Sequence, residues 1–376
     1  MMAEKGIDFY IIPSSDYHQG EYVGEYFKCR EWISGFTGSA GTVVVTNDEA
    51  GLWTDGRYFI QAAKQIKDTG ITLYKMGEPG VPTFYEFIAE KIEKDQCVGF
   101  DGKVMGMAQI EELKKKIKKK MKINGEFDLI GEIWSDRPPM ACTKAFVLDQ
   151  KYCGESVKSK LARIREIMED ENCDVHVLSS LDDIAWIFNL RGNDVKNNPV
   201  NLAYAVITVD KAILYIDEKK LDENVEKHLF NNWIEVRDYF ELYDDMELIS
   251  NSEVVMMELG KVNYSICSRI KSSVKVVDRQ NPSTLMKACK NKVELENLRK
   301  SHLKDAVAVI KFMYWLKKNV KSGKITEISA TEYLEGLRKA QALYLEPSFD
   351  TICAYGSNAA MMHYKATEES DTVLKP

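Results

Sequence analysis

The clearest pattern of chemically useful side chains in this sequence is the string Trp53-Thr54-Asp55-Gly56-Arg57. A strand is predicted to end at Asp55, Gly56 to make a turn, and Arg57 to stand near the start of a helix. A carboxylate in that position could cap the helix by accepting backbone N–H groups. A guanidinium held by such a turn could bind a carboxylate through two parallel hydrogen bonds. The pattern leaves two interpretations open: a structural Asp–Arg pair, or a clamp for a substrate carboxylate or a peptide.

The five histidines offer one further candidate for chemistry. His176 alternates within a predicted strand and His302 lies on a predicted helix, so both are interpreted as structural, while His18 is ambiguous in a loop. His363 follows a predicted strand (residues 348–354) and a turn (356–358). An imidazole in that position could donate a hydrogen bond or relay a proton, although the residues alone do not require it.

Other motifs give little support to specific chemistry. Phosphate-binding, dinucleotide-binding, zinc-protease and serine-hydrolase motifs are all missing, and no histidine–carboxylate group has metal-ligand spacing. The glycine-rich residues 35–41 are predicted to form a tight turn before a strand. Residues 190–199 form a polar loop that is either functional or a turn network of Asn and Asp. The eight cysteines include no C-x-x-C pair and are interpreted as reduced thiols inside a cell.

Composition excludes several classes of protein. The 376 residues are 45% hydrophobic and 29% charged, as in a globular protein of two or three domains and unlike disordered, collagen-like or coiled-coil chains. The net charge of −7 argues against a nucleic-acid partner. The lysine-rich residues 114–120 lie on a predicted amphipathic helix and are interpreted as its solvated face, with anion or nucleic-acid binding as the alternative. We find no apolar run long enough for a membrane span and no signal-peptide core, so a cytoplasmic location is expected.

The elements that must position these residues alternate between strands and helices, which indicates layered α/β architecture. Strands are predicted over residues 9–12, 42–46, 51–55, 98–101, 175–178, 204–209, 213–217, 254–258 and 274–277. Helices are predicted over residues 58–67, 83–94, 110–122, 158–169, 181–188, 221–230, 290–318 and 331–342.

The chain also repeats itself. Residues of the same type recur at two fixed offsets. The offset is 154 residues for Trp32 with Trp186 and for Gly38 with Gly192. It is 162 residues for Thr46 with Thr208 and for Asp55 with Asp217. The eight-residue difference falls near residues 195–202. Two similar α/β units are therefore predicted, with chance similarity as the alternative.

Proline clusters mark the junctions between domains. Pro138-Pro139 and Pro282 interrupt any regular element, because proline lacks a backbone N–H and restricts the residue before it. The predicted domains are residues 1–138, 139–281 and 282–376. The third holds two helices and one strand, a thin core that suits either a small helical cap or a domain cut off by the end of the chain. We expect it to be poorly stable and to expose apolar surface at residues 312–316 and 348–354.

Taken together, these strings resemble aminopeptidase P of the long, three-domain, cytosolic type. The matching strings run collinearly from about residue 8 to the end of the chain: residues 10–14, 35–42, 53–59, 183–192, 198–200, 326–330, 348–352 and His363-Tyr364. The resemblance implies two tandem creatinase-like α/β domains, followed by an incomplete pita-bread (α+β) metallopeptidase domain. It agrees with the internal repeat.

The resemblance also implies a reaction. The family removes the N-terminal residue from peptides whose second residue is proline, using two divalent ions, usually manganese, to activate a water. In the family those ions are held by two Asp, one His and two Glu that follow the His-Tyr segment. Because the sequence ends at Pro376, the chain is expected to lack these ligands, to bind no metal and to be inactive alone.

Two positions carry over from the family. Arg57 matches its substrate-binding arginine, and His363 matches an active-site histidine that contacts substrate near the scissile bond. A homodimer formed through the first domain is also implied. The alternative is a non-catalytic module that uses creatinase-type domains for peptide binding or dimerisation. Prolidase and creatinase fit less well, because they usually lack the duplicated N-terminal domain.

Overall fold

The computed structural model describes all 376 residues and divides them into two compact units. The first unit comprises Met1–Asp149 and Glu155–Cys289, and the second comprises Gln150–Gly154 and Lys290–Pro376. None of the helices combines the length and the apolar character needed to cross a bilayer.

The first unit begins with a six-stranded sheet. Its strands are β1 (Phe9–Pro13), β2 (Thr42–Val45), β3 (Ala50–Thr54), β4 (Ile71–Lys75), β5 (Cys97–Phe100) and β6 (Lys122–Asn124). Their order across the sheet is β4-β3-β2-β1-β5-β6. The central strand β1 is antiparallel to β2 and parallel to β5. Every residue of β1 is buried, as expected for a strand covered on both faces by helices.

A second sheet repeats the first. The remaining strands are β7 (Phe146–Val147), β8 (Val175–Leu178), β9 (Leu190–Arg191), β10 (Ala203–Thr208), β11 (Ala212–Ile216), β12 (Glu235–Arg237), β13 (Val254–Met257) and β14 (Lys275–Asp278). The second sheet has the order β12-β11-β10-β8-β13-β14, while β7 and β9 form a separate pair. Each pairing has the same direction as its counterpart in the first sheet. The predicted duplication is therefore confirmed.

Fourteen α-helices surround these sheets and build the second unit. They are α1 (Cys29–Ser34), α2 (Phe59–Gln65), α3 (Phe84–Lys91), α4 (Met107–Lys116), α5 (Leu129–Ile133), α6 (Gln150–Cys153), α7 (Val157–Asp170), α8 (Leu181–Ile187), α9 (Glu223–Asn231), α10 (Glu241–Leu248), α11 (Tyr264–Arg269), α12 (Pro282–Ala288), α13 (Lys292–Asn319) and α14 (Glu327–Lys339). Helix α4 buries Ile110 and Leu113 and turns its lysines outward, but ends before the predicted residue 122. There Lys122–Asn124 pairs with β5 as an edge strand instead.

The two sheet-containing halves of the first unit meet along a buried seam. The imidazole of His18 contacts the carbonyl of Ser179 through Nδ1 at 2.9 Å and the hydroxyl of Tyr239 through Nε2 at 2.7 Å. Nearby, the Asn263 amide donates to the carbonyl of Tyr17 at 2.8 Å. All of these groups are buried, so the seam joins the halves through satisfied polar contacts as well as apolar packing.

The second unit is built on the pair α13 and α14. The Asn291 side chain and Glu294 form a capping box that begins α13. Between the two helices, the rings of Trp315 and Tyr333 stack with centroids 3.8 Å apart. The core they cover is small, with Ile325, Ala330 and Leu374 as its buried members.

The predicted strand over residues 348–354 is wrong. The run has the alternation of a strand, but it pairs with no neighbouring strand in the described chain, so no ladder forms. Phe349 and Ile352 are exposed, as expected for apolar surface there. In residues 312–316 the expectation holds for Met313 and Tyr314, whereas the other three pack against the core.

Candidate functional site

Arg57 lies in the turn that joins β3 to α2, and Asp55 holds its side chain. The Asp55 Oδ1 atom accepts from the backbone amide of Arg57 at 3.1 Å and from Nε at 2.8 Å, and Oδ2 accepts from Nη2 at 2.8 Å. These hydrogen bonds raise the pKa of Arg57, so the guanidinium stays charged. Asp55 does not cap α2, which begins at Phe59. The Arg57 side chain remains 42% exposed, which leaves it accessible to a ligand.

The glycine-rich loop 35–41 packs behind this turn. The buried Arg30 guanidinium donates to the carbonyls of Phe36 and Gly38, which fixes the loop from inside. A Cβ on Gly38 would lie 2.2 Å from the Phe36 ring and 2.8 Å from the Tyr58 ring. Glycine is therefore required for the close packing that places Tyr58, and with it the neighbouring Arg57.

The second half contains the same turn without the arginine. Asp217 stands 162 residues after Asp55, and its Oδ1 atom accepts from the amide of Lys219 at 2.9 Å. This matches the contact between Asp55 and the amide of Arg57. Lys219 thus occupies the position that corresponds to Arg57. The replacement of arginine by lysine could have been identified from the offset of 162 residues alone. Only the first half offers a planar, two-pronged donor at this turn.

His363 belongs to the second unit and is exposed. It follows a 3₁₀ turn, Gly356–Ala360, and precedes the buried residue Tyr364. The Tyr364 hydroxyl donates to Glu327 Oε2 at 2.7 Å. The His363 imidazole therefore lies at the surface, while the following residue, Tyr364, is buried and hydrogen-bonded to Glu327.

Glu327 is the residue of this region that the sequence analysis missed. Its side chain is buried at the first turn of α14. Burial alone pushes the pKa of Glu327 upward, but hydrogen bonds from Tyr364, the amide of Tyr355 and Asn358 outweigh it and hold that pKa below its usual value. No spacing rule could have found these contacts, because the donors lie 28 to 45 residues further along the chain.

The other sequence candidates have structural roles. His18 and His176 are buried, and His176 Nδ1 lies 3.1 Å from the carbonyl of Met256. In the polar loop, the buried Asp194 accepts from Thr143 and pairs with the buried Lys220 at 2.7 Å. The loop is thus held by a polar turn network.

No metal centre can be assembled from the residues of this chain. Across residues 1–376, no three His, Cys, Asp or Glu side chains are grouped so as to hold an ion. Structural zinc sites use four protein ligands and catalytic zinc sites use three. The side chains present therefore do not fit a metal centre of their own.

Three parts of the chain match known protein families. Residues 1–128 and residues 136–294 each match the creatinase/prolidase N-terminal domain, and residues 296–376 match metallopeptidase family M24. The two N-terminal matches fall on the two sheets.

Several proteins with related names match nearly the whole length of this chain. The chain is 38% identical over 392 residues to a probable Xaa-Pro aminopeptidase P from Neurospora crassa, covering 100% of this chain and 57% of that protein. It is 39% identical over 408 residues to aminopeptidase P2 from Arabidopsis thaliana, covering 99% and 57%. The crystal structure of X-prolyl aminopeptidase from Caenorhabditis elegans, a cytosolic enzyme with a di-nuclear active site, matches with a TM-score of 0.91 at 33% identity. That match covers 97% of this chain and 60% of the enzyme, so the chain spans a little over half the length of these relatives.

Proposed function

Because residues 1–128 and 136–294 match the creatinase/prolidase N-terminal domain and residues 296–376 match metallopeptidase family M24, we propose that the 376 residues form the peptide-binding part of an Xaa-Pro metalloaminopeptidase. The observation that carries the proposal is the collinear fold match, which covers 97% of the chain at a TM-score of 0.91. The substrates would be peptides with proline at the second position. The proposed domains are residues 1–138, 139–281 and 282–376.

Two side chains would contact the peptide. Arg57 is charged, exposed and oriented by Asp55, so its guanidinium can attract a carboxylate or donate to backbone carbonyls of a peptide. His363 is exposed on the second unit and can donate a hydrogen bond close to the bond that precedes proline. Each is proposed as a peptide contact of the unit that carries it.

Hydrolysis would need more than these residues. Two divalent ions, for which manganese is the expected identity, would activate the attacking water in an active enzyme of this type. The side chains of this chain are not grouped to hold such ions. We therefore expect the chain alone to bind peptide without cleaving it. A homodimer formed through the first domain and a cytoplasmic location are further parts of the proposal.

The test is an assay of the purified chain with manganese and a short Xaa-Pro-Pro peptide. Turnover is measured by chromatography, bound manganese by elemental analysis and peptide affinity by calorimetry. We expect no turnover and no stoichiometric metal, but measurable binding. Turnover with bound metal would show that the claim of an inactive chain is wrong.

An arginine variant tests the binding role directly. Arg57→Ala removes a charged hydrogen-bond donor whose loss costs about 1.5–3 kcal/mol, so the dissociation constant should rise roughly ten- to a hundredfold. The matched control is Lys219→Ala, which changes the equivalent turn of the second half. Equal affinities for both variants would contradict the role of Arg57.

A further inference from the structure

The buried carboxylate of Glu327 collects donors from the segment 355–372. The backbone amide of Tyr355 and the side-chain amide of Asn358 donate to Oε1, the latter at 3.3 Å. Asn358 also reaches Oε2 at 3.1 Å, where the Tyr364 hydroxyl donates at 2.7 Å and the amide of Thr372 at 3.3 Å. One side chain thus anchors four separate positions of the segment.

All of these partners are donors, so the site is built for an ionised carboxylate. A glutamine at this position would turn its own NH₂ group against N–H or O–H groups and leave buried donors unpaired, which is costly. The arrangement is also more than a helix cap. Thr326 and Ser329 already form the cap of α14, and the amide of Ile328 is satisfied by Asp371.

The anchored positions bracket His363. Asn358 lies five residues before it, Tyr364 directly after it and Thr372 nine residues after it. Between residues 351 and 372 the only regular element is the short turn Gly356–Ala360. The hydrogen bonds to Glu327 therefore hold this segment in place where regular secondary structure does not. We propose that Glu327 is a positioning residue that fixes, through Tyr364 and Asn358, the direction in which His363 presents its imidazole. The proposal rests on the peptide-binding role of His363.

The test follows the His363 imidazole by NMR in the full 376-residue chain, with the signal assigned from a His363→Gln sample. Tyr364→Phe is the central variant, because it removes only the hydroxyl through which the residue after His363 contacts Glu327. Glu327→Gln removes the acceptor, and Glu332→Gln, an equal change in charge at an exposed position of α14, is the control. Amide exchange of α13 and α14 and affinity for an Xaa-Pro-Pro peptide are measured on the same samples.

We expect Tyr364→Phe to shift or split the His363 signal and to weaken peptide binding about five- to tenfold, with exchange in α13 and α14 unchanged. Glu327→Gln should have a larger effect in the same direction, and Glu332→Gln should behave as wild type. Wild-type signals and affinity in Tyr364→Phe would overturn the proposal. So would a uniform loss of protection across residues 290–376 in Tyr364→Phe, because the role would then be purely structural.

Failure of the proposed function would look different. If the wild-type chain bound no peptide, the peptide-binding role would fail, yet the His363 signal would still report whether Glu327 positions the ring. If Glu327→Gln unfolded the second unit, Tyr364→Phe would decide the question.

Discussion

At the scale of single residues, His18 ties stability to pH through its burial in the seam. Burial lowers the pKa of His18 to about 3, although the hydrogen bond to Ser179 partly opposes this, and Lys220 lowers it slightly further. An exposed histidine in the unfolded chain has a pKa of about 6.5. Between these values the unfolded chain binds the additional proton. The free energy of unfolding should therefore fall by up to about 1.4 kcal/mol per pH unit as the pH drops below 6.5.

The variant His18→Gln isolates this contribution. Unfolding by urea is measured at pH 7 and pH 4.5 for both chains. The wild type should lose about 2–3 kcal/mol more than the variant over that interval. His176, whose burial lowers its pKa to about 4, and the buried Asp16 and Asp101, whose burial raises theirs, are common to both chains. The exposed His302→Gln serves as control, and an identical pH dependence of wild type and His18→Gln would refute the prediction.

Sequence separation determines which single-residue contacts could be foreseen. Asp55 and Arg57 are two residues apart, so their pairing could be predicted from a strand end and a turn. Glu327 meets Tyr364 across 37 residues and Thr372 across 45. Such a pairing depends on how α14 and the following segment pack, and that information is not contained in local propensity.

At the scale of elements, the glycine-rich loop should be intolerant of side chains at Gly38. The substitution Gly38→Ala forces the rings of Phe36 and Tyr58 apart, and overpacking of this kind costs about 1–3 kcal/mol. Because Tyr58 neighbours Arg57, peptide affinity should fall as well. The measurements are urea unfolding and calorimetric binding. Gly24→Ala is the control, since its Cβ would meet only Phe27 at 3.7 Å. Equal stability of the two variants would argue against this packing role.

Element prediction succeeded for the central strands and for the edge strand β14, and it failed at the other three sheet edges. The central strands of both sheets fall within one or two residues of their predicted bounds, because continuous apolar runs are recognisable from sequence. The short edge strands β4, β6 and β12 were missed, since half-exposed residues lack a clear period. Residues 348–354 show the opposite error, because alternation without a pairing partner does not make a strand.

At the scale of the whole molecule, the repeat could be detected in the sequence because matching residues of the two copies are separated by a constant number of positions, which an insertion changes only once. Offsets of 154 and 162 predicted two equivalent α/β halves, and the identical strand orders confirm them. The polar seam at His18 and Asn263 was not visible. It is formed by residues far apart in sequence, whose types alone do not indicate burial.

The two compact units should also differ in stability. The core cluster of the second unit contains three buried apolar residues, whereas the first unit has four much larger clusters. Apolar burial is the main favourable term in folding, so opening of the second unit should require less free energy. Hydrogen exchange measures this directly. We expect amides of α13 to have opening free energies at least about 2 kcal/mol below those of α7, a long helix of the first unit. Because α13 has 28 residues and α7 has 14, helix length does not account for such a gap. Equal protection in the two helices would mean that contacts other than apolar burial, with the Glu327 hydrogen bonds as the strongest candidate, hold the second unit together.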